Sequence, residues 1–207
     1  PNNAASLAPF EITAPEDTIV NAVHPAPVAL RHVIGLLQPD AGRVEVEGRN
    51  VPDLSTEELS DLRKRMGYVF QEGALINWLT VEENLALPLV ENTDLGPGEI
   101  ADRVAEKLAM VHIPDAGKKL PSEISGGMKK RVGLARALIV EPDILLYDEP
   151  NAGLDPEISR SINELMREIA ESHESTALVV EHHVDCIRTV CDEVVFLHDG
   201  AAIVHQP

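Results

Sequence analysis

A chain of 207 residues, 44% of them hydrophobic, is long enough for one α/β domain with a sizeable core. Its formal net charge of -18, from 17 Lys and Arg against 35 Asp and Glu, argues against nucleic acid and anionic lipid headgroups as general partners, because both demand basic surface. No apolar run reaches the roughly 18 residues a membrane span needs, and no charged-then-apolar leader opens the chain, so any membrane role is expected to come through a partner. Cys186 and Cys191, five apart on an expected helix and hence on different faces, are not expected to pair, which fits a reduced compartment.

Residues 1–9 show no pattern and are expected to be disordered, and a first residue Pro1 in place of Met fits a fragment or a processed chain. Phe10-Glu11-Ile12 and residues 18–23 read as short strands around the turn residues Ala14-Pro15-Glu16-Asp17. Residues 28–37 form an expected helix with Leu30, Val33, Ile34 and Leu37 on one stripe, stopped by Pro39-Asp40-Ala41-Gly42. Residues 43–47 alternate as a strand. Ser55-Thr56-Glu57-Glu58 is a capping box opening a helix to Arg65, and Tyr68-Val69-Phe70 is a buried strand ending at Gln71.

From Gln71 to Ser125 only helical patterns occur. Thr80-Val81-Glu82-Glu83 caps one helix, which Pro88 is expected to end or kink, and Ile100, Val104 and Leu108 mark another. Beyond Ser125 come a helix, the apolar strand Ile144-Leu145-Leu146-Tyr147, and a helix capped by Asp155 with Pro156 in its first turn. Then follow a strand over residues 176–180, a helix over 184–190, and a hairpin of 194–197 with 202–204 across Asp199-Gly200. Alternating strands and helices predict a mostly parallel sheet with helices on both faces, interrupted by a helical insertion.

Three motifs carry chemistry. Ser125-Gly126-Gly127-Met128 opens a helix, where free backbone N–H groups and the positive helix end suit an anion. The strand before Asp148-Glu149 delivers two carboxylates to a sheet edge, one suited to a metal ion and one to water. Ala152-Gly153-Leu154-Asp155-Pro156 follows directly. In this order the motifs resemble the signature loop, Walker B strand and D-loop of ATP-binding cassette (ABC) ATPases. The resemblance covers about residues 10–200 and implies an α/β, P-loop NTPase-like ABC nucleotide-binding domain. Its core would be about 10–71 and 138–207, with a helical subdomain at about 72–137.

Phe70-Gln71-Glu72-Gly73-Ala74-Leu75, Leu79-Thr80-Val81-Glu82-Glu83-Asn84 and Met128-Lys129-Lys130-Arg131 resemble the Mla-type subfamily. Those ATPases energise phospholipid transport in the Gram-negative envelope and are linked to solvent tolerance. The resemblance implies ATP and Mg²⁺ as cofactors, a transmembrane permease and a second ATPase subunit as partners, and a cytoplasmic place on the inner face of the plasma membrane. It implies that Gln71 touches metal and attacking water, and that Ser125, Gly126, Gly127 and Met128 clasp the γ-phosphate of a nucleotide on the opposite subunit. Asp148 would hold Mg²⁺, Glu149 would be the general base, Asp155 would cross the dimer interface and His182 would be the switch histidine. His183 stands where the family often has Asp. Lys129, Lys130 and Arg131 are either a solvated helix face or phosphate and partner contacts.

One motif is missing. The phosphate-binding Gly-x-x-x-x-Gly-Lys-Ser/Thr loop belongs between Val23 and the helix near Val28, where His24-Pro25-Ala26-Pro27 stands instead; no Gly-Lys-Ser or Gly-Lys-Thr occurs in the chain. Prolines have no N–H to offer a phosphate. Three readings are therefore open: an ATPase subunit of an Mla-like transporter, a degenerate subunit that lends its signature loop to a partner's site, or a product of internal deletion without native activity.

Overall fold

The computed structural model describes residues 10–12, 19–23, 26–39, 43–172, 175–198 and 201–206, with side chains over 28–39, 43–172 and 175–196. The expected disorder at the start, the Ala14 to Asp17 turn, His24-Pro25, the stop at Asp40-Ala41-Gly42 and the Asp199-Gly200 turn lie outside these residues.

Two short strands, β1 (Phe10–Ile12) and β2 (Ile19–Val23), precede helix α1 (Ala26–Val33). This helix begins and ends earlier than the stripe of apolar residues suggests. Pro27 suits a first helical turn, and Gly35 at φ +66° stops the helix as backbone N–H groups of Gly35 and Leu36 return to the carbonyls of His32 and Arg31. Next come β3 (Val44–Val46), β4 (Arg49–Asn50) and α2 (Thr56–Lys64), the last opened by the expected capping box of Ser55 with Glu58.

Strand β5 (Met66–Val69) stops short of Phe70, which is 42% exposed and instead lays its ring against Tyr68, with centroids 4.3 Å apart. The helical stretch contains α3 (Val81–Asn92) and α4 (Pro97–Met110), and then α5 (Gly126–Leu138) follows two single 3-10 turns. Pro88 neither ends nor breaks α3. Leu85 and Leu89 on either side of it are both fully buried, and this packing overrides a cost of about 3 kcal/mol for an interior proline. The chain closes with β6 (Ile144–Asp148), α6 (Pro156–Ser172), β7 (Thr176–Val180), α7 (Val184–Val190), β8 (Glu193–His198) and β9 (Ala201–Gln206).

The main sheet has the order β5-β6-β7-β2-β8-β9, parallel except for the final β8–β9 pair; β1, β3 and β4 form a second small sheet. Every residue of β6 and β7 is buried, as strands covered on both faces must be. Side-chain alternation splits them between two cores. Leu145, Tyr147, Ala177 and Val179 pack with α3 to α7, whereas Ile144, Leu146, Leu178 and Val180 pack with Leu30 and Val33 of α1 and Leu62 of α2. Parallel strands share one carboxyl edge, so the ends of β2, β5, β6 and β7 lie on the same side of the sheet.

Candidate active site

The carboxyl edge gathers most of the sequence-predicted site. Register pairs Asp148 with Val180 and Tyr147 with both Val69 and Val179, so Gln71, Asp148, Glu149 and His182 all leave adjacent strand ends. Asp148 is buried. One carboxylate oxygen, Oδ2, accepts from the Tyr68 hydroxyl at 3.0 Å, while Oδ1 is buried without a protein hydrogen-bond partner. A buried carboxylate oxygen left over in this way fits a hard cation such as Mg²⁺, directly or through water. Burial and then the charge of Asp148 push the Tyr68 hydroxyl well above the usual phenol range, so Tyr68 remains a donor.

Glu149 turns the chain at φ +44°, a left-handed conformation that costs a non-glycine residue about 1–3 kcal/mol and that clusters at functional sites. Its own N–H bonds the Val180 carbonyl at 3.0 Å, and its carbonyl accepts from Ala152 N at 3.1 Å and from Lys130 Nζ at 3.4 Å. Lys130 is therefore not on a wet helix face: it is 7% exposed, and burial lowers its pKa. Arg131 likewise turns inward, donating to the Val111 carbonyl at 2.7 Å and to Ser161 Oγ at 2.6 Å. Lys130 is the fifth residue of α5, and from sequence alone a solvated helix face and a phosphate or partner contact are both open for it.

Glu181, to which the sequence drew no attention, is a hub. Its side chain is fully buried; Oε1 accepts from His182 N at 2.8 Å and His183 N at 3.2 Å, and Oε2 accepts from Asn151 N at 3.2 Å. It thus joins the turn after Glu149 to the turn that carries His182. Its only sequence signal is a carboxylate directly after four apolar strand residues, the same pattern that identified Asp148. His182 itself is exposed, with Nδ1 3.5 Å from Glu181 Oε1.

Gln71 lies exposed in the turn after β5. That turn rests on α5: Arg136 donates to the Gly73 and Ala74 carbonyls, both at 2.9 Å. Ser125 caps α5 by accepting from Met128 N at 3.2 Å, and the first N–H groups of Gly126 and Gly127 have no partner one turn back within the helix. Asp155 Oδ1 accepts from Glu157 N and Ile158 N, both at 3.0 Å, fixing the start of α6. A Cβ on Gly127 would come within 2.8 Å of Ile158 Cγ2, so the two helix starts touch. Among the described residues no direct hydrogen bond joins Ser125 or Asp155 to Asp148, Glu149 or His182, although Lys130 of α5 and Ala152 both reach the Glu149 carbonyl.

A doubly covered parallel sheet with paired carboxylates at its carboxyl edge fits the P-loop NTPase fold of ATP-binding cassettes, the fold of the solved structures it resembles. The chain belongs to the ABC transporter family, whose description matches residues 28–152. It is 42% identical over 180 residues, 87% of this chain and 50% of the relative, to the probable ribonucleotide transport ATP-binding protein mkl of Mycobacterium tuberculosis. It is also 42% identical over 177 residues, 86% of this chain and 52% of the relative, to the methionine import ATP-binding protein MetN 2 of Pseudomonas aeruginosa. The chain thus spans about half the length of these curated relatives. Among solved structures, a dimeric bacterial ABC transporter cassette, MJ0796, matches with a TM-score of 0.83 at 30% identity, covering 93% of this chain and 86% of that one. CbiO1 of Clostridium perfringens, part of the cbiONQ transporter complex, matches at 0.80 and 30%, covering 90% and 76%. Among the described residues no helix is long and apolar enough to cross a membrane.

Proposed function

We propose that this chain is the ATP-binding subunit of an ABC transporter whose own phosphate loop is degenerate, and that it lends Ser125, Gly126, Gly127 and Met128 to a nucleotide held by a second subunit. The observation that carries this reading is the connection from β2 to α1: only His24 and Pro25 lie between Val23 and Ala26. Two residues cannot wrap a triphosphate, and neither they nor the first turn of α1 provide the lysine. The dimer reported for MJ0796 supports a ligand bound across two subunits.

In this reading Asp148 holds Mg²⁺ through its free Oδ1, Glu149 orients water as general base, His182 hydrogen-bonds the γ-phosphate and Gln71 senses both metal and water. Mg²⁺ would neutralise phosphate charge, and Tyr68 and Glu181 keep the carboxylates and loops in register. Asp155 at the start of α6 faces the partner subunit. Residues 10–71 and 138–207 act as the core and 72–137 as the helical subdomain, which meets a permease on the cytoplasmic side of the membrane. Retention of Asp148, Glu149 and His182 in one edge supports a second reading, a working site of altered phosphate binding.

For the cargo, the wording of residues 70–84 and 128–131 supports phospholipid movement of the Mla type. The names of the relatives at 42% identity support ribonucleotide or methionine import instead. Reconstitution of the chain with its permease and partner ATPase in liposomes separates them. ATP-dependent phospholipid movement is expected; uptake of a ribonucleotide or methionine with no lipid movement overturns the lipid assignment and leaves the subunit role standing.

A further inference from the structure

Among the described residues, one group of three side chains has the spacing of a metal site: Glu181, His182 and His183 each offer a ligand atom, and these atoms all lie within 4.8 Å of one another. We propose that they bind a divalent transition metal ion of the Zn²⁺, Ni²⁺, Co²⁺ or Cu²⁺ type, in a site completed by water. The carboxylate is the fixed part. Three backbone N–H groups hold it in place, and because an ionised carboxylate has about four acceptor positions, these three donors leave capacity for a further ligand bond.

Among the described residues no Lys or Arg forms a salt bridge with it, although the charge of Lys130 acts on it from α5. The one ion-pair contact of Glu181 among the described residues is His182 Nδ1 at 3.5 Å. Lys130, the cation facing it from α5, gives its hydrogen bond to the Glu149 carbonyl instead, at 3.4 Å. A buried carboxylate without a salt bridge to a Lys or Arg favours a cation beside it, and the exposed rings of His182 and His183 lie between it and solvent.

The two imidazoles are the movable part. Both are exposed, and their rings lie 4.6 Å apart at 37°. Ligand atoms about 2.0–2.1 Å from one tetrahedral ion stand roughly 3.4 Å from each other, so closing the set needs about an ångström of side-chain rotation, which exposed rings can supply. Two nitrogens and one oxygen select borderline metals over Mg²⁺ or Ca²⁺, which prefer all-oxygen sites. Three protein ligands with open positions describe an exchangeable site rather than a structural one. The site needs His183, the residue that stands where the resemblance expects Asp, and its formation does not depend on nucleotide binding.

The test is titration of the full chain, purified without a histidine tag, with Co²⁺ and Zn²⁺. One equivalent of Co²⁺ is expected to bind with visible absorption bands, and Zn²⁺ is expected to displace it and to shift the His182 and His183 imidazole proton resonances. His183→Ala and Glu181→Gln should each weaken binding about tenfold or more, while His112→Ala should leave it unchanged. Because the resonance shifts are read on the unaltered chain, they report even if a variant folds poorly. Absence of stoichiometric binding, imidazole shifts at other histidines only, or equal affinity in a folded His183→Ala protein would overturn the proposal.

Discussion

Gly73 and Gly133 touch through their backbones: a Cβ built on Gly133 would stand 3.0 Å from the Gly73 Cα and 3.4 Å from its carbonyl oxygen. Gly73 also sits at φ +73° and would itself place a Cβ 2.9 Å from the Lys129 carbonyl oxygen. The turn carrying Gln71 is thereby seated on α5, the helix that Ser125 caps, with Arg136 holding the same turn from the side. Gly133→Ala should lose about 1–3 kcal/mol of stability, because the obstructing atoms are backbone and cannot rotate away. Urea denaturation measures it, and an unchanged midpoint would mean that the turn does not rest on α5.

Acid should loosen the helical stretch through its caps. The Thr80 backbone N–H first, and then its hydroxyl, hold the Glu83 carboxyl below its ordinary range; the Ser55 hydroxyl and backbone do the same for Glu58. A carboxyl whose folded pKa lies below its unfolded one contributes fully above the unfolded value and loses that contribution as pH falls through the folded one. Stability should therefore decline as pH drops below about 4.5, and Glu83→Gln should flatten that decline while lowering stability at neutral pH. An acid limb of equal steepness in parent and variant would assign the decline to other groups.

Trp78 is 81% exposed, next to the turn that α5 supports. A large aromatic left in water seven residues beyond Gln71 would suit an anchor for a partner, and interface anchors of this type typically cost about 2 kcal/mol or more when truncated, about thirtyfold in affinity. Trp78→Ala should lose co-purification with the cognate permease, and undiminished co-purification would remove this residue from the interface.

Much of this arrangement was legible in the sequence. The apolar run before Asp148, the two capping boxes and the Asp155 cap are local signals, and each led to the observed element. Long-range packing was less legible. Pro88 looks like a helix stop because its penalty is local, whereas the burial of Leu85 and Leu89 that overrides it depends on α4 and α5. For Lys130 a solvated face and a phosphate or partner contact both stay open, because the Glu149 carbonyl that receives it is 19 residues away. Glu181 and Tyr68 were missed for the same reason, since Tyr68 meets Asp148 across 80 residues of sequence.

The signature loop should act only in trans. The α5 N–H groups point out of their own helix end, and Ser125 spends its hydroxyl on the cap. With a partner subunit that carries an intact phosphate loop, Ser125→Arg should abolish ATP-dependent dimerisation while leaving the monomer folded, as size-exclusion chromatography would report. A variant that dimerises as readily as the parent would deny the loop this role.

The short β2–α1 connection should deprive this chain of its own nucleotide grip. Charge-assisted hydrogen bonds contribute about 1.5–3 kcal/mol each, so the loss of three phosphate contacts should weaken MgATP binding by roughly a thousandfold or more. Asp148 and Glu149 cannot compensate, because a base without a positioned phosphate has nothing to activate water against. The most direct measurement is titration of the purified chain with a fluorescent ATP analogue, with phosphate release compared between parent and Glu149→Gln. Weak, near-millimolar binding with negligible turnover in both proteins is expected, whereas micromolar affinity with turnover abolished by Glu149→Gln would contradict the account and establish a working ATPase site.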